Sequence, residues 1–362
     1  MSALVPPRSV LLIVTRRIGD VLLATPLMRS VRQAWPEAAL DVLVFEGTEG
    51  MITANADVRR IIKVPERPGF GRHLALLARL WRRYDAALSL VPGDRPTLYA
   101  FIAGKWRAGL LLDSRKEQWK QALLQRWVAF DDLNTHTVLM HLALVSAIGI
   151  TPRHEVIVSW SHEDALHVER LLGPSSAPIA VLHTYPKFNY KMWRQQGWIE
   201  LACWLSARGF RVVLSGGSDI AELGYVAGLA GQMPDCVVNL AGQLSPSASA
   251  CLVSRAQLYV GPDTALTHAA AALGVPTVAL YGPSNPVKWG PWPRGHARDT
   301  NPWQRCGSQR VGNVRLLQGV EPCVPCLLEG CERNVASFSD CLQHLPASKV
   351  IAAVRELTAL AA

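Results

Sequence analysis

Gly261-Pro262-Asp263-Thr264-Ala265-Leu266-Thr267-His268, with the Ala-rich run to Gly274 behind it, leaves little freedom of local structure. Just upstream, Ala256 to Val260 reads as a short buried strand, and just downstream Pro276 to Gly282 reads as the next. The unbroken Ala-rich run between them predicts a helix. Gly261-Pro262 predicts a tight turn at the carboxyl end of a strand, with Asp263 or Thr264 capping the helix. Such a corner gathers backbone N–H groups at the edge where open α/β sheets bind ligands, anions above all. The same residues also describe an ordinary αβ corner, with His268 simply packed. The segment alone does not separate the two readings.

At 362 residues the chain is long for one domain, and two are expected. Hydrophobic residues make up 49% and charged residues 18%, which describes a globular protein with ample core. The formal net charge of +9 favours an anionic partner: a nucleotide, a phosphorylated sugar or an acidic lipid. Nucleic acid is not expected, because the basic residues form no dense block and an aromatic share of 7% offers no stacking platform. No apolar run approaches the roughly 18–20 residues of a membrane span, and Val10 to Val14 precedes Arg16-Arg17, the wrong order for a secretory signal. A cytoplasmic protein is therefore expected, with its eight cysteines as thiols or metal ligands rather than disulfides.

In chain order, Ser9 to Thr15 reads as a buried strand after a loose start over 1–9. A helix from about Val21 to Ala34 and a strand from Leu40 to Phe45 follow, giving a β-α-β opening and a parallel sheet. Asp20 lies at the carboxyl edge of the first strand. It is either a helix-start carboxylate or, beside Arg16 and Arg17, part of a site for an acidic substrate. Strands at Ile61 to Val64 and Ala86 to Val91 flank a helix at Leu74 to Arg83, where Arg67, Arg72, Arg82 and Arg83 are candidates for an acidic-ligand groove. Trp119 and Trp127 fall in a stretch read as helical, and His136 to Ile148 is a further helix.

Breaks across 151–177 mark the link between domains, within which Ser161 to Asp164 forms a capping box. The second half then repeats the plan: a strand at Ile179 to His183, a helix at Trp198 to Arg208, and a strand at Phe210 to Leu214 entering Gly216-Gly217. The prediction is two Rossmann-like domains, 1–170 and 171–345, with a closing helix over 346–362. No G-x-G-x-x-G follows either first strand, which argues against a nicotinamide dehydrogenase. Thr184 and Lys191 sit in a polar, aromatic loop at the ligand edge, where Lys191 could neutralise a diphosphate. Glu222 opens a helix after the glycines, as a ribose acceptor or a helix-dipole partner. Residues 284–320, with Trp289, Trp292 and Trp303, read as a surface excursion. Cys323-x-x-Cys326, Cys331 and Cys341 are compatible with zinc or iron–sulfur, but their spacing fits no standard pattern, and free thiols are the preferred reading.

Three stretches together resemble the family 9 glycosyltransferases, the ADP-heptose:lipopolysaccharide heptosyltransferases. They are Arg17 to Leu27, Lys191-Met192-Trp193, and Gly261 to Gly274 continuing to Tyr281-Gly282-Pro283-Ser284-Asn285-Pro286. The cysteine cluster also resembles a segment of the family's second-heptose branch, and Val42 to Met51 resembles the third-heptose branch. The resemblance implies a GT-B fold, two Rossmann-like domains with parallel sheets facing across a cleft. The first half would take a lipid A core acceptor bearing Kdo or heptose, with Arg16 and Arg17 beside it. The second would hold ADP-heptose. Asp20 matches the family's general base, Lys191 the lysine at the donor phosphates, and Asp263 the contact to the donor sugar. Thr264, Ala265, Leu266, Thr267 and His268 match the diphosphate-binding helix start, with Thr184 also at the donor. Leu244 matches a position beside the adenine, and Glu222 one at the ribose. Ala265 departs from a frequent glycine, and its methyl group would crowd the diphosphate that the resemblance implies. No cofactor or metal is implied, and no D-x-D signature stands out. An inverting heptosyltransferase at the inner face of the inner membrane is expected, touching its anionic surface. The alternatives are a GT-B transferase with another nucleotide sugar and a non-catalytic nucleotide-sugar-binding protein.

Overall fold

The structure, a computed structural model, describes residues 6–358. The first residues of the loose start and the expected helix end at Leu360 lie outside the described residues. The chain forms two compact units. One runs to Ile157 and takes in Ala297–Thr300; the other comprises Val158–His296 and the chain from Asn301 onward.

The first unit contains β1 (Ser9–Val14), α1 (Ile18–Leu23), α2 (Thr25–Ala34), β2 (Ala39–Phe45), β3 (Arg60–Val64), α3 (Phe70–Leu80), β4 (Tyr84–Ser89), α4 (Asp94–Ala103), β5 (Gly104–Leu112), α5 (Gln118–Gln121), β6 (Arg126–Phe130) and α6 (Thr137–Ala147). Its six strands run parallel in the order β3-β2-β1-β4-β5-β6. Val10 to Val14 are fully buried, as a central strand covered on both faces requires. Each such side chain is worth about 1.5–3 kcal/mol relative to exposure. The strand order reverses at β1, which puts the switch point beside its carboxyl end. Buried Asp41 lies elsewhere, near the start of β2, where Arg59, Arg60 and the Tyr84 hydroxyl hold it; that carboxylate pins the sheet.

The second unit contains α7 (His162–Leu172), β7 (Ile179–His183), α8 (Gln195–Ser206), β8 (Arg211–Ser215), α9 (Ile220–Ala230), β9 (Val238–Asn239), α10 (Pro246–Ser254), β10 (Leu258–Pro262), α11 (Ala265–Leu273), β11 (Thr277–Tyr281), α12 (Pro286–Trp289), β12 (Gln309–Val311), β13 (Val314–Gln318), α13 (Asp340–Gln343) and α14 (Ala347–Thr358). The sheet order is β12-β13-β11-β10-β7-β8-β9, parallel except for β12 against β13. Here the order reverses between β7 and β10.

Several expectations shift. The helix expected from Val21 is two helices broken at Ala24. Pro26 has no N–H to give the Leu22 carbonyl, and the Thr25 hydroxyl donates to it instead, at 2.7 Å. Trp127 lies on edge strand β6, not in a helix. The excursion at 284–320 is no surface loop: Trp292 and Trp303 are buried, and β13 pairs with β11 inside the sheet. Gly312, at a φ of +55°, turns β12 into β13 and splits the stretch into strands too short to announce themselves. The chain crosses between units at 157–158 rather than 170, because α7 packs on α10 of the second unit. The closing helix is no separate element either, since Val350, Ala353 and Val354 are buried in that unit's core. No helix among the described residues is long and apolar enough to cross a membrane.

Candidate functional site

In the second unit the ends of β11, β10, β7 and β8 lie side by side, and the predicted donor residues follow them. Asp263 follows β10 and is buried. Lys191, at the end of a short 3-10 turn after β7, reaches across the switch point and places Nζ 2.5 Å from Asp263 Oδ2 and 3.4 Å from the Asp263 carbonyl. The Tyr281 hydroxyl, from the end of β11, lies 3.2 Å from Asp263 Oδ1 and 2.7 Å from the Trp289 carbonyl. His268 Nε2 stands 3.8 Å from the same Oδ1.

Burial pushes the Asp263 carboxyl upward. The Lys191 ammonium, with His268 and the Ser284 hydroxyl, outweighs it and holds Asp263 below the ordinary carboxylate range. Burial also pushes His268 down to about 4 against the pull of Asp263, so the imidazole is neutral at pH 7.

Thr264 is the backbone N-cap of α11, but neither its side chain nor that of Asp263 caps the helix: Asp263 is committed to Lys191 and Tyr281. Thr267 turns back instead, its hydroxyl 2.5 Å from the Pro262 carbonyl. Ala265 and Leu266 form the first turn. Two polar atoms here are buried without a hydrogen-bond partner, Thr184 Oγ1 after β7 and His268 Nδ1 on α11. Buried polar groups are normally paired, so two orphans flanking one strand-end gap mark where a ligand would supply the missing partners.

Glu222 stands on the first turn of α9, which Asp219 caps. Its carboxylate accepts from the Gly217 N–H at 2.7 Å. A Cβ at Gly216 or Gly217 would come within 2.9 Å of that carboxylate, so the two glycines let the loop close over it. Burial raises the Glu222 carboxyl, against the Gly217 hydrogen bond. Half-buried Leu244 lies in the same corner, two residues after Gly242, whose N–H donates to the Gly216 carbonyl. Two strand spacings, about 10 Å, separate the β10 and β8 ends, which lays Asp263 and Glu222 along one edge.

In the first unit Asp20 lies on the first turn of α1, just past β1, and is buried; the N-cap is Arg17. Burial raises its carboxyl above the ordinary value, although the charges of Arg16 and Arg17 and the Arg17 and Asp20 backbone N–H groups pull it down. Arg16 and Arg17 are themselves exposed. Asp20 is thus a buried carboxylate that takes a proton more readily than an ordinary one.

The model of glycosyltransferase family 9 (heptosyltransferase) matches residues 74–306. The chain belongs to glycosyltransferase family 9. It is therefore a glycosyltransferase, of GT-B fold with two Rossmann-like domains. A lipopolysaccharide heptosyltransferase 3 of Escherichia coli is 24% identical over 289 residues, 76% of this chain and 83% of that protein. A lipopolysaccharide heptosyltransferase 2 of Escherichia coli K12 is 28% identical over 294 residues, 74% of this chain and 81% of the relative. The solved ADP-heptose lps heptosyltransferase II of E. coli superposes with a TM-score of 0.76 at 21% identity, covering 97% of this chain and 98% of that one.

Within this family 9 chain the sequence reading misses the tyrosines. Tyr281 braces Asp263, and the Tyr259 hydroxyl lies 3.0 Å from Thr267 Oγ1. The signal was a phenol inside each of two otherwise small or aliphatic strands. The eight cysteines form no disulfide, and Cys341 is buried in the core beside Gly282 and Gly319. Among the described residues, no group of three or more His, Cys, Asp or Glu side chains is arranged to hold a metal ion.

Proposed function

We propose that this enzyme moves heptose from ADP-heptose to a hydroxyl of the lipopolysaccharide inner core, with inversion at the anomeric carbon. What carries the reading is the strand-end group of Lys191, Asp263 and His268 with the orphaned Thr184 Oγ1 and His268 Nδ1. Asp263, fixed and ionised, receives the donor sugar's hydroxyls. Lys191 has three N–H donors and gives Asp263 two contacts, which leaves one for the diphosphate. The α11 start, Thr264 to His268, takes the phosphate oxygens, while Glu222 and Leu244 take the ribose and adenine.

The acceptor oxygen attacks the anomeric carbon as the bond from that carbon to the β-phosphate oxygen breaks. Asp20 takes the hydroxyl proton, and ADP leaves with the bonding electron pair. The negative charge gathering on ADP meets Lys191 and the helix N–H groups, which is worth about 10²–10³ in rate per well-placed donor. Arg16 and Arg17 draw in the anionic core acceptor. The names of the relatives, lipopolysaccharide heptosyltransferases 2 and 3, support the donor and acceptor class.

Calorimetric titration of ADP, UDP and ADP-heptose into wild type and Lys191→Ala tests this. Binding of ADP and ADP-heptose but not UDP is expected, weakened at least about tenfold in Lys191→Ala. A preference for UDP discards heptose as the sugar. Binding of none discards ADP-heptose as the donor.

A further inference from the structure

From residue 67 to 83 the chain carries five arginines, Arg67, Arg72, Arg79, Arg82 and Arg83, and no acidic residue. On α3 Phe70, Leu74 and Leu77 recur at intervals of four and three along one helical stripe, and Trp81 follows as the residue that ends the helix. Leu77 turns inward with Leu76 and Leu80 against the first unit's core. Phe70, Leu74 and Trp81 do not: they are 85%, 57% and 64% exposed. Neighbouring α4 adds exposed Leu98 and Phe101, the latter under the Arg107 guanidinium at 5.0 Å. An apolar groove of about 260 Å³ runs between the two helices over Leu77, Tyr99 and Ile102. At the edges Asp85 pairs with Lys105, Asp94 shares Lys120 with Glu117, and Glu66 stands just before the basic segment.

A folded protein that keeps Phe70 and Leu74 of one helix, and Trp81 at its end, in water within a segment carrying five arginines presents an interfacial surface. We propose that the α3–α4 face docks on an anionic phospholipid membrane. Phe70, Leu74 and Trp81 enter the boundary between headgroups and acyl chains, and Arg67, Arg72, Arg79, Arg82 and Arg83 meet the lipid phosphates. The inference rests on the proposed function only for the reason such an enzyme visits a membrane, since its acceptor is lipid-anchored. The charge complementarity is a property of this surface alone.

Vesicle co-sedimentation tests it, with phosphatidylglycerol–phosphatidylethanolamine vesicles against phosphatidylcholine vesicles, at low and high salt. Wild type is expected on the anionic vesicles only, released in part by salt. Phe70→Ser/Leu74→Ser/Trp81→Ser is expected to lower the partition coefficient at least about tenfold, with melting temperature and ADP binding unchanged. Arg72→Glu/Arg79→Glu, which leaves the apolar stripe intact, is expected to weaken binding at low salt. Equal partition of wild type and the triple variant overturns the proposal, as does failure of wild type to bind anionic vesicles. If the triple variant instead abolishes a wild-type dimer while vesicle binding persists, the face belongs to a second copy. ADP titration of the same samples keeps the two readings apart: vesicle binding without ADP binding sinks ADP-heptose as the donor and leaves the docking surface standing.

Discussion

Each unit sets an aspartate just beyond a strand at the reversal of its sheet order: Asp20 after β1 in the first, Asp263 after β10 in the second. Both are buried and both lie near basic groups, yet their carboxyls move in opposite directions. The difference is where the cation stands. Arg16 and Arg17 are exposed neighbours in sequence, acting on Asp20 through charge and through the Arg17 backbone N–H, and burial wins. Lys191 is brought in from another strand end to 2.5 Å, and contact wins over burial. One fold position therefore yields either a proton acceptor or a fixed anion, depending on whether a cation touches it.

The sharpest way to break this contrast is to neutralise each partner in turn. Asp20→Asn keeps the shape and removes the proton acceptor. It is expected to lower kcat by about 10²–10⁴ while leaving ADP affinity at wild-type level. Transfer at the wild-type rate, measured with a verified lipid A core acceptor, would falsify Asp20 as the base. Lys191→Ala comes next, with an expected loss of about 10²–10³ in kcat in addition to the weaker ADP binding. It also strands Asp263 as a buried charge held only by neutral groups, so thermal stability should fall; Asp263→Ala in the same background should restore part of it. If the double variant melts lower than Lys191→Ala, the pair is not coupled as described. Glu222→Gln should act least on binding, about two- to tenfold on ADP, because glutamine can still accept from Gly217. Full loss of ADP binding there would mean that the carboxylate charge, not the hydrogen bond, does the recognition.

How far the sequence foretold this contrast depends on range. The strand-turn-helix frames at Asp20 and at Asp263 were legible, because buried strands, a glycine turn and an Ala-rich run are local signals. So was the capping box at Ser161 and Asp164. The pairing of Lys191 with Asp263 spans 72 residues and exists only once β7 and β10 are neighbours. The same holds for Tyr281, whose place at a strand end is legible but whose role appears only when its hydroxyl reaches Asp263. The α4 helix and β5 carry no clean period, and β13 is five residues long behind a three-residue β12. Elements that short are set by the sheet they join rather than by their own residues.

The smallest effect discriminates most finely, because its sign differs between the two aspartates. Asp20 has a folded pKa above its unfolded value of about 3.9, so its charge costs stability above the folded pKa and nothing below about pH 3.9. Asp20→Asn should thus raise the melting temperature at neutral pH, and that gain should vanish on acidification toward pH 4. Asp263 has a folded pKa below the unfolded value, so its stabilisation is present above about pH 3.9 and is lost as pH falls through the folded pKa. Asp263→Asn should lower the melting temperature at neutral pH, and the deficit should close only in stronger acid. Calorimetric melting curves of the three proteins from neutral pH downward decide it. Two curves of the same sign would mean that a cation touches Asp20 as closely as Lys191 touches Asp263. The first unit would then hold a second fixed anion, and the proton acceptor would have to be sought elsewhere.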